Sequence, residues 1–367
     1  MKSISKKRIA YIDLAEAWAM LTLVMYHSAT YDFRITGPNV SPMTMFLFWQ
    51  RCIVSASVPI FFVRNGYLLF SKDFNLRKHV RKTIRLVIIA FIWGLIDLLV
   101  IMPAIGEEIT IIRLISNLFK WNHLSHFWYI GTLVGIYCMF PLLKVAFDEY
   151  RKAFYCFVIV CLILAFGNSL VGGAATILVR ETLHWDKNYT SSVDFFTIFN
   201  FLKDFRGEAL VYFCIGGVLP EIFDWIKQHF SVRAKNIIAG VIALGSVTCL
   251  SLWARYHTIV LKDAWDSVFA GQDTIFTGAM VLSLLVLFEN YQKENGVLAR
   301  IAYPVSVNSL VIYFLHEAVI YGTQPWWNRI PNTTNLLANL VYGILVIGGC
   351  VVIAKILKSN KITSWLC

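Results

Sequence analysis

Ten side chains able to carry charge or move a proton stand inside stretches that are otherwise apolar: Asp13, Glu16, His27, Arg51, Arg64, Asp97, His126, Glu208, His316 and Glu317. An ionised group at the centre of a bilayer costs about 2.5–3.5 kcal/mol on insertion scales, so such groups face a polar interior and mark a pathway or a reaction site. Glu16 and His27 are eleven residues apart, close to three helical turns, which puts them on one face with roughly 16 Å of rise between them. Asp13 lies near that face, and the three make a polar stripe. The plainer account of the stripe is a bundle core in which Ser or Asn satisfies the carboxylates.

The elements that hold these groups follow from composition. Of 367 residues, 58% are hydrophobic and 15% charged, against roughly 25% charged in soluble domains. Apolar windows of membrane-spanning length fall near residues 9–29, 43–70, 84–102, 124–147, 153–171, 209–226, 237–253, 275–288, 302–321 and 336–357. The expected architecture is an all-α polytopic bundle of about ten transmembrane helices, a single membrane-embedded domain over residues 1–367. The span at 43–70 is long enough to tilt, or to kink at Pro59.

Orientation comes from charge. Lys and Arg gather at Lys2 to Arg8, Lys72 to Arg85, Lys144 to Lys152, Lys227 to Lys235, Lys293 to Arg300 and Lys355 to Lys361, which are alternate loops. Positive residues collect on the cytoplasmic side, so both termini are expected there. The net charge of +11 is accounted for by this topology, without a nucleic-acid partner. The first apolar run carries Asp13, Glu16 and His27 and has no small-residue cleavage site, which points to a retained helix and not a signal peptide.

This topology gives the histidines a depth. His27 ends an outward helix, His126 begins an inward one, and His316 lies past the middle of another outward helix. All three are expected in the outer half of the membrane, where they suggest one site. A zinc site of His123, His126 and His27 is the alternative, but no His, Cys or Asp set has strong ligand spacing, and the scattered cysteines form no C-x-x-C pair. No metal is expected. The amphipathic stretch around 109–118 and the segment 172–204, with Arg180, Glu181, His184, Trp185 and Asp186, are candidates to cap a cavity from outside. On the opposite side, Arg77, Arg81, Lys82 and Arg85 recur at helical spacing and could grip phosphates, or simply meet anionic lipid headgroups.

Several segments together resemble the acyltransferase 3 family of bacterial integral membrane acyltransferases. Tyr11-Ile12-Asp13-Leu14 through Val24-Met25-Tyr26-His27 is similar to that family's first helix and its terminal histidine. Val58-Pro59-Ile60-Phe61-Phe62-Val63-Arg64-Asn65-Gly66-Tyr67-Leu68 resembles the family's VPxFFxxSGYL segment, and the basic run Arg77 to Arg85 follows where the family carries paired arginines. His126-Phe127-Trp128-Tyr129, the run Leu133 to Leu143, and Ile312-Tyr313-Phe314-Leu315-His316-Glu317 also fit, so the resemblance covers nearly the whole chain. The chain departs from the pattern at Glu16, where the family commonly has a basic residue, and at Arg64 and Asn65, where an apolar residue and Ser are usual.

The resemblance implies an acyl-CoA donor, most often acetyl-CoA, and a hydroxyl acceptor on a cell-surface glycan or its lipid-linked precursor, at the bacterial inner membrane. His27 is then the general base or a transient acyl carrier, with Glu16, His126 and His316 as the other catalytic candidates. Arg77, Arg81, Lys82 and Arg85 would hold the donor's phosphates, and Trp128, Arg64 and Asn65 would contact substrate. The competing functions are a transporter or flippase, whose intramembrane charges line a path, and a glycan polymerase or ligase that ignores CoA.

Overall fold

In the computed structural model, residues 8–31, 33–35, 37, 39–184, 201–202, 206–262 and 266–367 are described. The basic run from Lys2 to Lys7, and Trp185 and Asp186 in the proposed outer cap, lie outside the described residues. The described chain is all-helical: α1 (Ala10–His27), α2 (Pro42–Cys52), α3 (Ser57–Phe70), α4 (Leu76–Ala104), α5 (Ile111–Lys120), α6 (Trp128–Glu149), α7 (Arg151–Ile177), α8 (Gly207–His229), α9 (Val232–Tyr256), α10 (Ile275–Glu289), α11 (Val297–Ser306), α12 (Ser309–Trp327) and α13 (Leu336–Ser359).

Each of the ten windows falls on helix, but among the described residues seven helical stretches have the length and apolarity to cross a membrane, or eight if the bent pair α11 and α12 is one span. The two expected spans that fall short are those on α1, whose 18 residues include the charged stripe and are less apolar, and on α10, with 15 residues. The helix pair that covers the expected span at 302–321 is bent by 75° between α11 and α12. Its cause is local. Pro304 has no N–H to continue the ladder, and the Asn308 side-chain Nδ2 donates to the Pro304 carbonyl at 2.7 Å, taking the acceptor that the Asn308 backbone would have used. That backbone N–H turns instead to Val305 O at 3.2 Å. Lys358 on α13 then donates to Val307 O at 3.1 Å and to Asn308 Oδ1 at 2.5 Å, so the break is satisfied.

Near Pro59 the helix tightens instead of kinking sharply. A 3-10 turn, Ile53–Ala56, joins α2 to α3 one turn ahead of the proline, where the missing N–H frees a carbonyl.

The chain forms two compact units, each assembled from separated stretches: residues 1–34, 80–131 and 285–367 in the first, and 35–79 and 132–284 in the second. Within the second unit, α3 packs on α8 at close range. A Cβ on Gly66 would run into the Phe213 carbonyl, and one on Gly216 into the Val63 carbonyl. Small residues are what allow two backbones to approach this closely where lipid offers no hydrophobic drive. Within the first unit, α1 packs against α11, α12 and α13. The end of α1 is pinned there: Asn339 donates to the Met25 carbonyl at 3.0 Å, and Ser28 Oγ donates to Asn339 Oδ1, also at 3.0 Å.

The helix α5 does not stand apart as an outer cap. It packs back on α4, with Leu118 against Gly94 and Asn117 turned toward Met102. Its other face, Ile111, Ile112, Ile115 and Phe119, is exposed and apolar, as a lipid-facing helix requires.

Candidate active site

The first unit gathers His27, Asp97, His126, His316 and Glu317. They arrive on four separate stretches of chain. His27 is the last residue of α1, and its end of the helix is the one held by Asn339. Asp97 projects from the last third of α4 and is fully buried. His316 and Glu317 are neighbours on α12, and both are buried.

His126 has the least regular support. The chain leaves α5 through Trp121 and His123 with φ of 54° and 60°, a left-handed conformation that costs bulky side chains of order 1–3 kcal/mol each. These two residues turn the chain into the short 3-10 segment Ser125–Phe127. Tyr313, from α12, then donates its hydroxyl to the His126 carbonyl. The strain and the tyrosine together aim a buried imidazole into the cluster.

The ring centroids of His27 and His316 are 5.1 Å apart, those of His126 and His316 5.3 Å, and those of His27 and His126 6.5 Å. Glu317 lies among them, with Oε1 3.0 Å from His27 Nδ1 and Oε2 3.0 Å from His126 Nδ1. Behind His126, its Nε2 lies 3.5 Å from Asp97 Oδ2. The His126 contacts are at ion-pair distance but out of line for straight hydrogen bonds, so their attraction is chiefly Coulombic.

His316 Nδ1 donates to the Tyr313 carbonyl at 2.6 Å, because a carbonyl can only accept. In the neutral ring this leaves a lone pair on Nε2, which is buried and has no hydrogen-bond partner. By the same logic the carboxylate beside His27 Nδ1 keeps a proton there and leaves the lone pair on its Nε2. The cluster therefore presents imidazole nitrogens free to take a proton or attack a carbonyl. His27 is the more accessible ring, with 21% of its side chain exposed against 2% for His126.

Among the described residues, His27, His316 and Glu317 also bring three nitrogen and oxygen atoms within 4.8 Å of one another, a spacing a cation could bridge. This set differs from the zinc set considered from sequence. His123 turns away from the cluster, with its Nε2 3.2 Å from Glu107.

The remaining candidates are placed as follows. Glu16 is buried on α1 and accepts from Ser306 Oγ at 2.5 Å; the same hydroxyl is 2.8 Å from Asp13, which Arg8 also contacts at 2.7 Å. The polar stripe is thus joined to α11 by a serine, about three helical turns from His27. Glu16→Gln is expected to leave turnover within about threefold of wild type, since a buried amide can keep the Ser306 hydrogen bond. A tenfold fall in CoA release would move Glu16 into the reaction.

Arg77, Arg81 and Lys82 are exposed on α4. Arg85 is turned inward, donating to the carbonyls of Trp365 at 2.6 Å and Cys367 at 3.0 Å, with its guanidinium over the Trp365 ring. Trp128 opens α6, directly after the turn that carries His126. Arg64 and Asn65 belong to the second unit, where Asn65 Oδ1 accepts from Tyr137 at 3.1 Å. Asp97 and Glu317 are the two members to which the sequence assigned no part. The signal was there in each case, a carboxylate within an apolar span, but nothing in the sequence named its partner.

The fold and the site define a multispanning helical membrane protein with a buried imidazole–carboxylate cluster. The sequence profile of the acyltransferase domain, in its acyltransferase 3 form, matches residues 9–355, and the chain belongs to that family. No curated protein and no solved structure matches it.

Proposed function

We propose that this protein moves an acyl group, acetyl in the simplest case, from cytoplasmic acyl-CoA to a hydroxyl of a cell-surface glycan or its lipid-linked precursor at the bacterial inner membrane. The observation that carries this reading is Glu317 Oε1 held 3.0 Å from His27 Nδ1, which leaves the other nitrogen of His27 free. His27 is then the general base. It removes the proton from the acceptor hydroxyl as the oxygen attacks the thioester carbonyl, and returns it to the departing thiolate. The unpartnered Nε2 of His316 stands close enough to help orient the acceptor.

The donor's phosphates rest on the basic start of α4, at Arg77, Arg81 and Lys82, with Arg85 at the inner end of this group. Arg85 and Asp97 are twelve residues apart on this one helix, a rise of about 18 Å. With the basic end in the cytoplasm, that rise carries the pantetheine arm past the middle of a hydrocarbon core of about 30 Å. The chemistry assigned to these residues needs no metal.

The test is direct. Purified protein in liposomes, given acetyl-CoA labelled in the acetyl group and a cell-envelope glycan extract, should release free CoA thiol and leave label on the glycan. Label that crosses the bilayer still attached to CoA, with no thiol released, would identify a transporter and end this reading.

A further inference from the structure

Asp97 has no part in the mechanism so far, and its position is costly. It is fully exposure-free on a spanning helix, and neither of its oxygens makes a hydrogen bond. Among the described residues, the groups that face it are His126, whose Nε2 is 3.5 Å away, together with Glu317 and the Cys350 thiol of α13. No lysine or arginine is among them. A buried carboxylate with a single off-line imidazole partner is poor material for stabilising a fold, which leaves the charge itself as the property to explain.

Counting charge gives it a use. His126 lies between two carboxylates, with one ring nitrogen toward Glu317 and the other toward Asp97, so as an imidazolium it serves both. Two carboxylates and one imidazolium leave one net negative charge beside His27. His27 itself is faced by Glu317 and His316 from α12, by the His126 ring, and by Tyr26 of its own helix. When His27 accepts the acceptor's proton it becomes a cation, and the group as a whole becomes neutral. Without Asp97 the cluster would begin the same step neutral and end with a positive charge opposed only by the transient oxyanion on the reacting carbonyl, in a low-dielectric interior.

We propose that Asp97 is a positioning residue that acts through His126 and Glu317, supplying the negative charge that balances the imidazolium formed on His27 during transfer. The step balances. The acceptor O–H bond breaks and its proton goes to His27; an oxygen–carbon bond forms at the thioester carbonyl; the carbon–sulfur bond breaks; and the proton leaves His27 for the thiolate, giving free CoA. This inference rests on the general-base reading of His27.

The experiment compares wild type, Asp97→Asn and Asp97→Glu in liposomes, using acetyl-CoA and the same envelope glycan extract, with thiol release as the readout. Asp97→Asn keeps the shape and removes the charge. It is expected to lower kcat by ten- to a hundredfold while KM for acetyl-CoA stays within twofold, and Asp97→Glu, which restores the charge, should recover at least threefold of that loss. Equal kcat in wild type and Asp97→Asn would overturn the proposal. So would a loss in Asp97→Asn that Asp97→Glu does not relieve, or one accompanied by a changed KM and a lowered unfolding temperature in detergent, since packing alone would then explain it. The failure of the broader reading is distinguishable, because in that case wild type itself would release no thiol.

Discussion

His27→Ala should insert and fold as wild type does, yet release CoA at no more than about 10⁻² to 10⁻⁴ of the wild-type rate, the range by which positioned general bases accelerate reactions. The reason lies in where His27 stands. It is the last residue of α1, and Asn339 and Ser28 tie the adjoining backbone to α13. None of those contacts uses the imidazole, so its removal leaves the helix end in place. Only the proton acceptor is lost. Thiol release from acetyl-CoA in liposomes measures this, with circular dichroism confirming unchanged helicity. A variant retaining a tenth of wild-type turnover would remove His27 from the mechanism.

Glu317→Gln should come second in size, lowering kcat by about 10²–10⁴-fold with little change in KM for acetyl-CoA. The carboxylate faces two imidazoles, with one oxygen 3.0 Å from His27 Nδ1 and the other 3.0 Å from His126 Nδ1. An amide of the same shape has one accepting oxygen and one NH2 group, so it must present a donor to one of the two imidazoles. That ring then has to change tautomer or turn away. If the ring is His27, its lone pair moves to the nitrogen facing Glu317 and is no longer available to the acceptor; loss of an orienting carboxylate with this effect costs about 10⁴-fold in serine proteases. The double variant with His27→Ala should be no slower than His27→Ala alone, because residues that act as a unit are not additive. A Glu317→Gln variant within threefold of wild type would show that the carboxylate does not hold the tautomer.

The site was legible in the sequence to different depths for different residues. Three histidines placed at one level by topology are found in one cluster, because depth along a spanning helix follows from counting residues at 1.5 Å each. Which side chain lies beside which cannot be counted in that way. Glu317 follows His316 directly, and its role depends on α12 facing the end of α1 and the turn before α6, contacts between residues about 190 and 290 positions apart. Glu16 shows the reverse. Periodicity puts it on the face of His27, but its carboxylate accepts from Ser306, which α11 brings from far along the chain.

Local chemistry was also readable without its outcome. The amphipathic stretch around 109–118 was evident in the sequence, yet whether its apolar face would cap a cavity or meet lipid was decided by α4, which receives the other face. The proline at 304 announced a disturbed helix. The 75° bend required Asn308 to take the proline's carbonyl and Lys358 to cover the break.

By itself the amino-acid sequence determined a helical membrane protein, the windows in which its helices lie, the family, and the set of ionisable residues worth suspecting. These follow from composition and short-range periodicity, because a chain in lipid must satisfy its backbone within each helix. The tertiary structure alone decided the bend between α11 and α12, the strained turn that delivers His126, and the order of the Asp97, His126, Glu317 and His27 chain. A buried charge is stable only beside a partner, and partners here come from helices far apart in the chain, so their pairing is a property of packing.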